Sequence, residues 1–304
     1  LTRTATPGSR EDRALGAWIG LAIGDAVGTT LEFKSRDGGP PLTDMVGGGP
    51  FRMPPGGWTD DTSMALCLAE SLLHDPALDP RDLMDRFVRW WRQGENSHTG
   101  SCFDIGIATR QALQRYVANG DPSAGSTDPM SAGNGGIMRL APVALVSRDA
   151  DRAADLARRQ SRTTHGAVAC ADAADLMARI LVAAIDGAGS AAFDIARDRA
   201  QVAEVAAIAA GLWRGKGRAD IRSTGYVVHT LEAALWATAN ADGFAAAVLL
   251  AANLGDDADT VAAVTGQIAG ALHGLSAIPA TWLAKLAWRG RIEELGWRLL
   301  EKAA

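Results

Sequence analysis

The chain has 304 residues, 47% of them hydrophobic and 21% charged, with a formal net charge of −5. This composition supports a sizeable core and excludes a disordered chain. The acidic balance, without any basic run that would follow a phosphate backbone, argues against binding to nucleic acid or to an anionic membrane.

From the N-terminus, residues 1–10 (LTRTATPGSR) read as a flexible lead-in. They open on Leu1 rather than Met and lack the apolar stretch of a signal peptide. Apolar periodicity near 3.6 residues predicts helices over 11–31, 60–74, 79–93, 103–119, 150–160, 165–186, 194–212, 223–239, 242–253, 258–273, 279–288 and 291–302. Convincing strand alternation is missing. In the first helix Gly16, Gly20, Gly24 and Gly28 recur every four residues and form a stripe on one side. Against alanine they cost roughly 3–4 kcal/mol together, which the close approach of a second helix backbone would offset. Two long connections, 34–58 (GGPPLTD, GGGPF, PPGG) and 119–136 (DPSAGSTDP, GNGG), are of the length that is either functional or disordered. Neither separates segments of different composition, so 11–304 is expected to form a single domain. The longest apolar run, Val261 to Leu272, falls short of the roughly 18 residues a bilayer requires, and predicts a buried helix. Cys67, Cys102 and Cys170 lie far apart with no CxxC, which points to a reducing, cytoplasmic setting.

Acidic residues gather in three places. Asp25, Thr29 and Glu32 point the same way from the first helix. From spacing alone, Asp25 is equally a buried hydrogen-bonding residue and Glu32 an exposed helix-end residue. Thr59-Asp60-Asp61-Thr62 and Asp256-Asp257-Ala258-Asp259-Thr260 each open an apolar helix. Capping accounts for one acid at such a place but poorly for a cluster, because two charges about 4 Å apart repel by about 4 kcal/mol at an effective dielectric near 20. A divalent cation would turn that repulsion into ligation, and an all-oxygen donor set suits Mg²⁺ or Mn²⁺ before Zn²⁺. On residue types alone, capping and metal binding both remain open.

The segments GLAIGDAVGTTLEF, GGWTDDTSMALCLAESLL, GNGGIMRLAPVAL, THGA, GYVVHTLEAALW and NLGDDADTVAAVTGQIAGALHG, in this order within about Gly16 to Trp288, resemble the ADP-ribosylglycohydrolase family. The resemblance implies an all-α, orthogonal multi-helix bundle around two divalent cations, Mg²⁺ or Mn²⁺. Thr59, Asp60, Asp61, Asp257, Asp259 and Thr260 would be the metal ligands, Glu32 the catalytic residue and Asp25 a supporting group. Many family members carry glycine at the position of Asp256, which is left as a cap or supporting acid.

By the same resemblance, Asn134, Gly135 and Gly136 would hold ADP-ribose. Their turn also fits an anion nest of backbone amides. His165 would contact ribose or phosphate, Tyr226 would stack on the adenosine part, and the amides of Gly100 and Ser101 would border the phosphates. Met138 is expected to pack, and His74, His229 and His273 to be ordinary helix or surface residues. Ser97 and His98 stand where nitrogenase-related members carry an acid.

The expected activity is release of ADP-ribose from a modified protein, nucleic acid or small molecule, with nucleic acid entering only as a modified substrate. Two other readings remain open at this point: another Mg²⁺-dependent hydrolase such as a nucleotide pyrophosphatase, and a non-catalytic ADP-ribose-binding protein. Acceptor contacts are expected in variable loops such as 34–57.

Overall fold

A computed structural model describes residues 3–195 and 200–303, and among these there is no strand. The helices are α1 (Arg10–Gly28), α2 (Asp60–His74), α3 (Pro80–Gln93), α4 (Ile107–Asn119), α5 (Gly135–Met138), α6 (Ala141–Val146), α7 (Ala150–Arg162), α8 (Val168–Ile185), α9 (Ala203–Ala209), α10 (Val227–Ala239), α11 (Phe244–Ala252), α12 (Ala258–His273), α13 (Ala280–Lys285) and α14 (Arg289–Glu301). The protein is all-α. One cluster of buried apolar side chains runs from Ala14 to Leu299.

The glycine stripe sets the architecture. A Cβ on Gly16 would lie 2.3 Å from the Gly270 carbonyl oxygen, one on Gly20 2.2 Å from that of Gly266, one on Gly24 2.1 Å from that of Ala262, and one on Gly28 2.3 Å from that of Ala258. As numbering rises along α1 it falls along α12, so the two helices are antiparallel with their backbones in contact. Gly266 and Gly270 return the fit, each with its missing Cβ 2.0 Å from an α1 carbonyl oxygen. This pairing lays the C-terminal end of α1, carrying Asp25 and leading to Glu32, against the N-terminal end of α12, carrying Asp257 and Asp259. Arg10–Leu31, although interrupted by Asp25, is long and apolar enough to cross a membrane by length and composition. However, 94% of its apolar window is buried inside the protein.

Several predicted boundaries shift for local reasons. The helix expected from residue 103 starts at Ile107, because Asp104 has a left-handed φ of 58°. The one expected from 165 starts at Val168, because His165 pairs with Ser126. The one expected from 223 starts at Val227, after Gly225 and Val227 have bonded Asn134 and Ala132. Of the predicted helix 194–212, residues 196–199 lie outside the described residues, and α9 accounts for 203–209. Helices α5 and α6 went unpredicted. The 34–58 connection has no helix but is anchored. Asn253 exchanges two hydrogen bonds with the Leu42 backbone, and Asp44 accepts from Trp282 Nε1 and Lys285 Nζ.

Candidate metal centre and substrate cleft

Three helix ends meet at one place: the C-terminal end of α1 and the N-termini of α2 and α12. A helix N-terminus has amides with no intrahelical acceptor. Neither Thr59 nor Asp257, the residues preceding α2 and α12, caps its own helix through its side chain. The α1 end does so instead. The fully buried Asp25 carboxylate accepts from Thr59 N–H (2.9 Å) and Thr62 N–H (3.0 Å), and from the hydroxyls of Thr59 (3.0 Å) and Thr62 (2.6 Å). Glu32 Oε2 accepts from Asp259 N–H at 3.2 Å. Asp259 Oδ1 also accepts from Thr260 N–H at 2.6 Å, but capping leaves Asp60, Asp61 and Asp257 unexplained.

Three of these carboxylates, with Asp25 and Glu32, form two groups. Asp25, Asp61 and Asp259 offer oxygens that all lie within 4.8 Å of one another, as do Glu32, Asp257 and Asp259. Asp259 belongs to both. Asp25, expected only as a supporting acid, therefore sits inside the first group, whereas Asp60 lies outside both and faces the cleft. Thr59 Oγ1 has one proton and three carboxylates in reach: Asp25 (3.0 Å), Asp61 (3.3 Å) and Asp259 (3.4 Å). Buried Asp61 Oδ1 has no hydrogen-bond partner.

Without a cation this cluster resists ionisation. Burial, followed by the charge of Asp259, pushes Asp25 up to about 7 and Asp257 up to about 8. Glu32 and Asp60 are also driven well up by burial and then Asp259, and Asp61 by burial and then Asp25. An orphaned buried carboxylate oxygen, a shared aspartate and an all-oxygen set fit hard divalent ions.

Beside the cluster opens a cavity of about 610 Å³. Its walls include Glu32, Asp60, Asp257, Asp259 and Thr260 together with Gly133, Asn134, Gly135, Met138 and His165. Asn134 is held by its backbone N–H to the Gly225 carbonyl, while its amide donates to Thr230 Oγ1 (2.9 Å) and Asp257 Oδ2 (2.5 Å). The side chain expected to meet substrate thus also fixes a candidate ligand. Gly135 and Gly136 open α5, where amides lack intrahelical acceptors. Gly136 stands behind the wall, its missing Cβ 2.4 Å from Ser161 Oγ.

Three other expected contacts are not among the residues lining this cavity. Tyr226 is half-buried with its ring edge-on to His229 at 5.0 Å. The Gly100 N–H donates to the Ser97 carbonyl and the Ser101 N–H to Thr99 Oγ1 (3.4 Å), so both amides are already engaged. Asp256 does not cap α12. Its side chain is exposed and its φ is 61°, the conformation a glycine adopts most readily.

Asp104 was not singled out from the sequence. It lines the cavity, and burial, then the charges of Asp60 and Asp259, push it up to about 11. The available signal was an acid wedged between Phe103 and Ile105 ahead of a helix.

Comparison with known proteins finds relatives over nearly the whole chain. Residues 6–304 match the family described as ADP-ribosylglycohydrolase. The chain is 49% identical to ADP-ribosylarginine hydrolase Tri1 of Pseudomonas putida (strain GB-1), over 99% of this chain and 81% of that protein. It is 33% identical to ADP-ribosyl-[dinitrogen reductase] glycohydrolase of Rhodospirillum rubrum, over 91% of each. A solved structure titled ADP-ribosylglycohydrolase-related protein complex superposes with a TM-score of 0.88 at 44% identity, covering 97% of this chain and 99% of that one.

Proposed function

The chain belongs to the ADP-ribosylglycohydrolase family and is a glycohydrolase, and from that premise we propose that it hydrolyses the bond between ADP-ribose and an arginine side chain of a modified protein, with two Mg²⁺ or Mn²⁺ ions bound. The observation that carries the reading is Asp259, common to both carboxylate groups. Relatives at 49% and 50% identity named as ADP-ribosylarginine hydrolases support the arginine linkage. So does Asp104, an acid in the cleft wall beside Asp259 that would face a guanidinium once bound cations offset the carboxylate charges that keep it protonated. Residues 11–304 act as one domain in this reading, and three unpaired cysteines suit a reducing cytoplasm.

Asp25, Asp61 and Asp259 would hold one ion and Asp257 and Asp259 the other, with Glu32 beside the second and Thr59, Asp60 and Thr260 adjoining. When bound, the ions supply the positive charge that keeps the carboxylates ionised and polarises ribose hydroxyls. The chain's own groups do the rest. Gly135, with Gly136 behind it, and His165 bind the ADP-ribose end, so that energy gained there orients the reacting ribose. Asn134 keeps Asp257 in place. Glu32 accepts the proton of the attacking water as its oxygen bonds to ribose C1″. The C1″–N bond breaks, and that proton passes to the departing guanidine, leaving a guanidinium that Asp104 faces.

The test is incubation with Mg²⁺ and ADP-ribosylated arginine, serine and nucleobase substrates, with products identified by mass. Free ADP-ribose from the arginine substrate supports the reading. Release only from the others would remove the arginine assignment.

A further inference from the structure

His165 is 4% exposed, lines the cleft, and lies so close over Gly135 that a Cβ there would meet its Cε1 at 2.3 Å. Its Nδ1 is 2.8 Å from Thr164 Oγ1, and the same oxygen accepts from Arg139 Nη2 at 2.9 Å. Arg139 is completely buried, yet no carboxylate is among its hydrogen-bond partners. Its Nε donates to Gln160 Oε1 (2.8 Å), its Nη2 also donates to the Gln160 carbonyl (3.0 Å), its Nη1 faces Met64 Sδ (3.8 Å), and its guanidinium carbon lies 4.7 Å from the Phe87 ring centroid. Such a cation is an unusual thing to bury unless it organises something.

Proton bookkeeping shows what it organises. A guanidinium only donates, so Thr164 Oγ1 must be the acceptor toward Arg139. The single hydroxyl proton of Thr164 is then left for His165 Nδ1. The reverse arrangement, Nδ1–H donating to Thr164, would strand that proton in a site only 1% exposed, with no second acceptor among the described residues.

We propose that Arg139, acting through Thr164, is a positioning residue that locks His165 as its neutral Nε2–H tautomer, so that the ring presents one hydrogen-bond donor to an oxygen of the ADP-ribose moiety. No protein acceptor meets Nε2 among the described residues, which leaves it free for a ligand. Burial and the neighbouring Arg139 charge push the His165 pKa down to about 3, in keeping with a ring that stays neutral. The identity of the accepting ligand rests on the ADP-ribose reading above, whereas the tautomer does not.

The experiment is ¹⁵N NMR of histidine-labelled protein, followed by ADP-ribose affinity and steady-state kinetics. His165 should show a single Nε2–H tautomer from about pH 5 to 8. Thr164→Val should abolish that preference and weaken both ADP-ribose Kd and substrate KM by about tenfold, with a smaller fall in kcat. Thr164→Ser should restore both, and Thr164→Ala replaces the valine variant if that one fails to fold. A wild-type Nδ1–H tautomer, or a tautomer unmoved by loss of the hydroxyl, overturns the relay. A changed tautomer with unchanged ADP-ribose affinity overturns the ligand assignment. Failure to hydrolyse any ADP-ribosylated substrate would strike the functional reading alone, since the NMR result stands without turnover.

Discussion

Phe33 and Asp256 are joined back to back across the wall of the cleft. The Phe33 N–H donates to the Asp256 carbonyl at 2.8 Å, and the Asp256 N–H donates to the Lys34 carbonyl at 2.8 Å. Both residues hold left-handed backbones, with φ of 59° and 61°. One directly follows Glu32 and the other directly precedes Asp257, so this pair of bonds keeps the two carboxylates in register.

The strain at this staple is measurable. Asp256→Gly should hold or raise stability, by no more than about 1 kcal/mol, because glycine adopts the left-handed region without penalty. Asp256→Val should lower stability by more than about 1 kcal/mol, since a β-branched residue resists that conformation, and should slow turnover by displacing Glu32 and Asp257. Thermal unfolding with parallel kinetics checks both. A valine variant as stable as the wild type would contradict the strain argument.

Helix propensity makes the wrong forecast for the glycine stripe. Gly24→Ala should destabilise by about 3 kcal/mol or more, because its Cβ would lie 2.1 Å from a backbone carbonyl oxygen that cannot rotate away. Gly290→Ala in α14 has nothing within 4 Å of the added carbon and should stabilise by up to about 1 kcal/mol. Denaturant midpoints of the two variants should move in opposite directions.

A shared ligand predicts unequal losses. Calorimetric titration with Mn²⁺ should count two ions per wild-type chain and one for either Asp61→Asn or Asp257→Asn. Asp259→Asn should bind none tightly, and its turnover should fall by at least about a thousandfold. Retention of one tight ion by Asp259→Asn would show that the two groups do not depend on a common carboxylate.

In chelator, stability should run against the usual acid-denaturation trend. Asp25 and Asp257 have folded pKa values raised from 3.8 to about 7 and about 8. Their protonated forms favour the folded state, so their contribution is complete below about pH 4 and is lost as pH rises through 7 to 8. The metal-free Tm should therefore drop between pH 5 and pH 8, and saturating Mg²⁺ should restore it at pH 8. A metal-free Tm that climbs over this interval would contradict the assignment.

Much of this was readable in the sequence, because the informative features are local. Period 3.6 located the long helices, and the four-residue spacing of glycines forecast a tight helix contact, though not that α12 would be the partner. What was hidden depends on contacts between distant segments. Asp25 counts among the clustered acids only because α12 arrives beside it. Asp104 became visible only once the backbone turned at φ 58° and aimed the residue into the cleft. Helices α5 and α6 are too short to show a period, and the amides of Gly100 and Ser101 turned out to be engaged with their own neighbours.

The antiparallel contact of α1 with α12 has a consequence for biosynthesis. Asp25 and Asp259 are 234 positions apart in the sequence (259 − 25), so a chain emerging from the ribosome carries its early acids long before their counterparts exist. Such a nascent chain holds only part of the carboxylate cluster until α12 is translated and docks on α1, and any cleavage between the two regions that releases α12 takes Asp257 and Asp259 away again.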